Sequence, residues 1–163
     1  GEGERHLRSG AWAGLRPTFM LGRTLRGKTL GIVGYGRIGR AVARIAHDAF
    51  GMRILWQAPR DPRIDDPATA GPANAERVAT LEELLQRSDV VSLHCPATPE
   101  TRHLMNARTI GLMPPHAYLV NTARGAIVDE DAMTAALRSG RLGHAALDVY
   151  GVEPLPADSP LWG

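Results

Sequence analysis

The sequence predicts a doubly wound α/β fold, a parallel sheet covered by helices on both faces, and three observations predict it. Short apolar runs such as Leu30, Ile32 and Val33, or Val90-Val91-Ser92-Leu93, read as strands buried on both sides. Helix-forming segments separate these strands in regular alternation. A glycine loop, Gly34-Tyr35-Gly36-Arg37-Ile38-Gly39, joins the first strand directly to the first helix with the G-x-G-x-x-G spacing of a dinucleotide-binding βαβ unit.

Each glycine of that loop has a mechanical reason. Gly34 permits the tight turn off the strand, Gly36 lets backbone approach a pyrophosphate, and Gly39 lets the helix pack against the sheet. A helix beginning near Arg37 aims its free N–H groups and the positive end of its dipole at the same point, which makes an anion site of Rossmann type. The i, i+3, i+4, i+7 spacing of Ile38, Ala41, Val42, Ile45 and Ala46 places them on one face, predicted to be buried.

The composition fits one soluble globular unit. The 163 residues are 44% hydrophobic and only 5% aromatic, so the core is expected to be built from Ala, Val, Leu and Ile. A net charge of +2 without a run of Lys or Arg argues against nucleic acid as partner. The single cysteine, Cys95, excludes an internal disulfide and a cysteine metal cluster and suits a reducing cytoplasm. No apolar stretch approaches the roughly 18 residues that a membrane span needs. The chain starts without Met and stops at Gly163 where another segment is expected, as in a domain taken from a longer protein.

Residues 1–28 read as an N-terminal arm and turn, and 29–163 as the dinucleotide-binding domain. In the arm, Leu7, Trp12, Leu15 and Phe19 are apolar among basic residues, and Gly10, Gly14 and Pro17 interrupt any long helix. It is either a frayed leader or a segment that packs on a partner subunit or second domain. Beyond the glycine loop the helix is expected to run to about Phe50, with a second strand from Arg53 to Trp56 or Gln57. The Pro- and Gly-rich stretch Ala58 to Ala75 is predicted as loop. A short strand follows near Val78, and Thr80 with Glu83 forms a capping box for the next helix. Later strands are expected at Val90–Leu93, Ala117–Asn121 and Ala145–Leu147, with a helix over Glu130–Ser139 that points Ala132, Met133, Ala136 and Leu137 inward.

The end of the second strand bears on the choice of cofactor. An acidic residue about 20 positions past the last glycine binds the adenosine ribose of NAD. Counting from Gly39 leads to Ala58 and Pro59, then Arg60, with Asp61 slightly late. An arginine there either accommodates a 2′-phosphate or is a solvated loop charge; the first reading favours NADP over NAD.

Five stretches, taken in order, resemble the cofactor domain of the D-isomer-specific 2-hydroxyacid dehydrogenases, within them the glyoxylate/hydroxypyruvate reductase branch. They are Phe19-Met20-Leu21-Gly22 before Leu25-Arg26-Gly27-Lys28-Thr29, the Gly34–Gly39 loop, Ser92-Leu93-His94-Cys95-Pro96 with Thr98 and Thr101, Asn121-Thr122-Ala123-Arg124-Gly125, and Ala146-Leu147-Asp148-Val149-Tyr150 followed by Glu153-Pro154. The resemblance implies that Arg37 and Ile38 meet the pyrophosphate, and that Cys95, Pro96 and Thr101 lie beside the adenosine and its ribose. Thr122, Ala123 and Asp148 would contact the nicotinamide side. Arg124 corresponds to the family's substrate arginine and Glu153 to the carboxylate that partners its catalytic histidine. A guanidinium suits a 2-oxo acid because its planar fork holds a carboxylate in two parallel hydrogen bonds.

The resemblance also implies a substrate domain built from both flanks and a catalytic histidine beyond Gly163; none of His6, His47, His94, His103, His116 and His144 lies in its position. This segment alone is therefore expected to bind cofactor without turning over substrate. A homodimer through the cofactor domain and the arm is expected, with a small 2-oxo or 2-hydroxy acid as the other partner and no metal. The alternative is a non-catalytic dinucleotide sensor of the corepressor type on the same fold. His94 and Cys95 read as structural, Cys95 as a small buried hydrophobe.

Overall fold

Every residue of β1 (Thr29–Val33) is buried, as a central parallel strand with helices on both faces requires. The computed structural model describes residues 2–59 and 70–162. Beside β1 lie β2 (Arg53–Gln57) and β4 (Val90–Leu93); β3 (Glu76–Arg77) forms one edge, and β5 (Tyr118–Asn121) and β6 (His144–Leu147) extend the other. The order is β3-β2-β1-β4-β5-β6 and every pairing is parallel. This is the Rossmann order, with its reversal between β1 and β4, where the carboxyl ends of the strands open a crevice.

Strand alternation divides the core into two layers. Leu30 and Ile32 of β1 join Tyr35, Ile54, Trp56 and Met52 beneath the helix α2 (Arg37–Phe50). Val33, Val91, Leu93 and Leu119 face the other side. There they meet Leu84 and Leu85 of α3 (Leu81–Arg87), Ile110 of α4 (Ala107–Ile110) and Met133 of α5 (Glu130–Arg138). Methionine is a larger part of this core than the composition led us to expect: Met52, Met105, Met113 and Met133 are all buried. Unbranched and flexible, they fill the irregular gaps left where aromatics are scarce.

The face of α2 differs from the one its periodicity predicts. Ile38 and Ile45 are 69% and 59% exposed, and the buried residues are Gly39, Arg40, Ala43 and Ala46. Gly39, Ala43 and Ala46 are small and lie at i, i+4 and i+7, so they let the helix come close to the sheet and turn the larger apolar stripe outward. The helix ends as expected, with Gly51 in the left-handed region at φ 64°, its N–H donating to the His47 carbonyl and the Met52 N–H to that of Ala46.

The remaining strand and helix boundaries fall within about a residue or two of the sequence reading. Thr80 caps α3 by accepting from the Glu83 N–H, but Glu83 reaches back to the N–H of Ala79, one residue before the cap. α4 and α1 (Glu2–Arg8) are additions. The first is four residues long, too short for a periodic signal, and stands on a complete Asn106/Thr109 capping box. The arm beyond α1 lies open, with Leu15 93% exposed. Among the described residues no helix is long and apolar enough to cross a membrane.

Candidate functional site

Loops leaving the carboxyl ends of β1, β4, β5 and β6 carry almost all the residues singled out from the sequence, and close packing ties them together. Gly34 has φ +93°, and a Cβ on it would stand 2.6 Å from the backbone nitrogen of Cys95. Glycine is therefore required where the β1 loop meets the end of β4. A Cβ on Gly39 would run into the carbonyl oxygen of Gly34, so this glycine serves the packing of α2 against its own loop.

Gly36 differs from both. Its φ is −75°, a value any residue adopts, and among the described residues nothing lies within 4 Å of the position its Cβ would take. Neither backbone conformation nor internal packing calls for glycine there; its missing side chain leaves open space in front of α2. Gly36 gives that helix no side-chain cap, and the bond from Arg40 N–H to Gly36 O opens the helical ladder at 3.0 Å. First-turn N–H groups have no intrahelical acceptor, so they and the positive end of the helix dipole are available to an anion in that space. Arg37 and Ile38, both exposed, flank it. The donor set fits a pyrophosphate.

At the end of β4, Ser92 Oγ and His94 Nε2 are hydrogen-bonded at 2.9 Å, and burial pushes the His94 pKa down. Burial likewise pushes the Cys95 thiol up, which disfavours the thiolate and fits a packing role. Pro96 is exposed. The Thr101 hydroxyl donates to the Pro96 carbonyl at 2.7 Å and accepts from the Thr98 N–H at 2.8 Å, so it shapes the loop that presents Pro96.

Asn121, fully buried at the end of β5, clamps the next turn. Its Nδ2 donates to the Arg124 carbonyl at 2.9 Å and its Oδ1 accepts from the Ala123 N–H at 3.1 Å. Thr122 and Arg124 are thereby presented to solvent, with Arg124 Nη1 donating to the Ala123 carbonyl at 2.6 Å. One of the five guanidinium donors is used there. Beyond β6, the Asp148 N–H donates to the Asn121 carbonyl at 3.0 Å, placing Asp148 beside the same turn. Glu153 Oε1 accepts from the Tyr150 N–H at 2.9 Å, and Glu130 Oε1 of α5 accepts from the Gly151 N–H at 2.7 Å.

β2 ends in Gln57, whose carbonyl accepts from the Gly34 N–H at 2.9 Å, followed by Ala58 and Pro59. No carboxylate stands on those three residues. Arg60 and Asp61 lie outside the described residues. Behind the loop, the Tyr35 ring stacks on Trp56 at 4.4 Å, and Arg77 lies over Trp56 with Cζ 5.3 Å from the ring centroid.

The sequence profile described as D-isomer specific 2-hydroxyacid dehydrogenase, NAD binding domain, matches residues 1–163. The chain belongs to this dehydrogenase family. It is 47% identical over 165 residues to a glyoxylate reductase of Aeropyrum pernix, an alignment that covers 98% of this chain and 47% of that protein. A Thermus thermophilus protein of known crystal structure superposes with a TM-score of 0.84 at 46% identity, over 99% of this chain and 48% of that one. A D-isomer specific 2-hydroxyacid dehydrogenase from Xanthobacter autotrophicus Py2, solved in complex with NADPH and MES, superposes with a TM-score of 0.77 at 36% identity, over 99% and 62% of the two chains. The chain thus spans about half the length of the first two. The family's domain is described as NAD binding.

Two parts of this loop cluster escape a reading of the sequence. Asn121 stands inside a recognised stretch without an assigned role, although an Asn just after a buried strand and before a turn is a known clamp for backbone groups. Glu130 reads only as the start of a helix; its hold on Gly151 depends on a contact 21 residues distant.

Proposed function

We propose that the chain is the cofactor-binding unit of a dehydrogenase that passes hydride between a nicotinamide dinucleotide and a small 2-oxo acid, glyoxylate or hydroxypyruvate, with a D-2-hydroxy acid as the reduced product. The observation that carries this reading is the open space at Gly36 before an uncapped helix terminus, in a chain of this family.

In this reading Gly34, Gly36, Arg37, Ile38 and Gly39 form the pyrophosphate cradle. Cys95, Pro96 and Thr101 border the adenosine and its ribose, and Thr122, Ala123, Arg124 and Asp148 border the nicotinamide. The dinucleotide, when bound, supplies the hydride. Arg124, on a turn fixed by Asn121, offers its planar fork to the substrate carboxylate and an N–H to the carbonyl that is reduced. Glu153 keeps the family's proton-donating histidine charged by raising its pKa.

NADP is the favoured dinucleotide in this reading. Gln57, Ala58 and Pro59 offer no carboxylate to repel a 2′-phosphate, Arg60 follows them, and a structural relative has been solved with NADPH. The unit is further proposed to pair with a second copy through the outward stripe of α2, where Val42, Ile45 and Phe50 adjoin Leu25 and Val90 in an apolar hollow, with the arm contributing. A cytoplasmic setting suits its one cysteine, Cys95.

Fluorescence titration of the chain with NADPH and NADH tests the cradle, with tighter binding of NADPH expected. Replacement of Arg60 by Ala should cut that preference about tenfold to a hundredfold, the worth of a charge-assisted contact. In the active enzyme Arg124→Lys should lower kcat/KM for glyoxylate while leaving cofactor affinity unchanged, because an ammonium cannot reproduce the fork. A chain that binds neither dinucleotide refutes the assignment.

A further inference from the structure

The turn that follows β6 is held to the body of the domain in two ways. Gly125, the neighbour of Arg124, presses on it backbone to backbone, so that a Cβ on Gly125 would run into the Tyr150 carbonyl and the Gly151 nitrogen. Glu130, the first residue of α5, reaches across 21 positions of sequence, and its Oε1 accepts the Gly151 N–H at 2.7 Å. The N–H before it, of Tyr150, donates to Glu153 Oε1 at 2.9 Å. Two consecutive amides of one turn are thus each taken by a carboxylate, one from the domain body and one from the turn's own far end.

The base on which Glu130 stands is firm, and the loop it holds is not. Asp129 caps α5 by accepting the Ala132 N–H at 3.0 Å, its own N–H donates to the Met105 carbonyl at 2.8 Å, and Val128 and Met133 nearby are buried. Residues 151–154 are all exposed, so few apolar contacts fix them and polar bonds decide where they lie. The helix dipole favours an acidic residue in this first turn, a preference that Asp131 also meets. What sets Glu130 apart is its charge-assisted bond across to Gly151.

We propose that Glu130 is a positioning residue for the reaction: through the Gly151 amide it fixes the turn that seats Gly125 and leads to Glu153, and so sets Arg124 and Glu153 in their relation to each other. The inference rests on the roles proposed above for those two residues and adds to them a residue of α5 that acts only through the turn. Groups that serve one substrate from different loops depend on their spacing, and a displacement of about 1 Å can cost on the order of a hundredfold in rate.

The test is steady-state reduction of glyoxylate and hydroxypyruvate by the active enzyme as parent, Glu130→Ala, Glu130→Gln and Asp131→Ala, with NADPH and NADH titration, thermal melting and exchange of the Gly151 amide alongside. Alanine leaves the Gly151 N–H to water, whereas glutamine keeps an accepting oxygen at the same reach. Asp131→Ala removes a first-turn charge from α5 and leaves the bond in place. We expect Glu130→Ala to lower kcat/KM for the 2-oxo acid about tenfold to a hundredfold and to speed exchange at Gly151, with dinucleotide affinity and melting those of the parent. Glu130→Gln should recover most of the loss, and Asp131→Ala should behave as the parent. An undiminished kcat/KM in Glu130→Ala, no recovery with glutamine, or an equal loss in Asp131→Ala overturns the assignment and leaves Glu130 as a helix-start residue. So does a loss that follows melting and vanishes at a temperature where every variant is folded. A parent enzyme that reduces neither acid overturns the proposed reaction itself, and this inference with it.

Discussion

Gly125 and Tyr150 meet so closely that a Cβ on Gly125 would run into the Tyr150 carbonyl and the nitrogen of Gly151. The glycine after Arg124 is thus the point at which the β5 loop locks to the β6 loop, and this lock sets where Arg124 stands relative to Asp148 and Glu153. Because the obstacle is backbone, Gly125→Ala must push one loop off the other. The expected cost is about 1–3 kcal/mol of stability, as for overpacking at other closely packed sites. Faster exchange of the Gly151 amide, now held by Glu130, should accompany it. Denaturant melts and amide exchange measure the two effects, and an alanine variant as stable as the parent would show that the loops slide apart freely.

Asn121→Ala removes both arms of the clamp on the Arg124 turn. The Ala123 N–H then loses its acceptor, and the Arg124 carbonyl keeps only the Ile127 N–H, at a cost of about 1–3 kcal/mol. Arg124 is a trypsin site at the tip of the released turn. Limited trypsin digestion should therefore cut after Arg124 sooner in the variant than in the parent. Unchanged cutting would mean that Gly125 alone holds the turn.

His94 provides a dependence on pH with a definite sign. Burial lowers its pKa in the folded chain below the ordinary value near 6.5, so between those two values the unfolded chain binds more protons. Stability should be full above about pH 6.5 and fall as the pH drops through the window beneath it. Asp89 does not share this window. Burial works to raise its pKa, but the Thr29 N–H, His116 and Lys28 outweigh it and hold the carboxyl below the usual range, so its contribution is lost only in stronger acid. His94→Gln retains a hydrogen-bonding group for Ser92 and should flatten the pH dependence below about pH 6.5. The same slope in parent and variant, measured by denaturant midpoints, would assign the proton uptake elsewhere.

Much of this architecture is legible in the sequence because local rules and tertiary packing agree. Val90–Leu93 is apolar enough to be buried on both faces, and Gly51 stands where a helix has to stop, so strand and helix limits follow from the residues alone. The burial of α2 does not. Its apolar period is real, but the close approach demanded by the sheet selects Gly39, Ala43 and Ala46 and turns Ile38 and Ile45 outward. At the site, the Gly34–Gly39 loop announces itself through spacing. The placement of Arg77 over Trp56 does not, because the two are 21 positions apart in sequence and meet only through the pairing of β2 with β3.

Gly34 and Gly36, two residues apart in one motif, should respond to substitution in opposite ways. Gly34 holds φ +93° with Cys95 and His94 backbone pressed against it, so even Ala brings both strain and collision. Gly34→Ala should cost about 2 kcal/mol or more and lower the melting temperature by several degrees. Gly36 sits at φ −75° with open space before it, so Gly36→Val should fold like the parent and melt within a degree or two of it. Its branched side chain would instead occupy the space in front of the α2 N–H groups, the place a pyrophosphate needs. Loss of measurable NADPH and NADH binding with an unchanged melt is the expected result for Gly36→Val, and loss of fold stability the expected result for Gly34→Ala. A valine at position 36 that left dinucleotide affinity intact would place the phosphates somewhere other than the start of α2, and the cradle would have to be sought elsewhere along the carboxyl edge of the sheet.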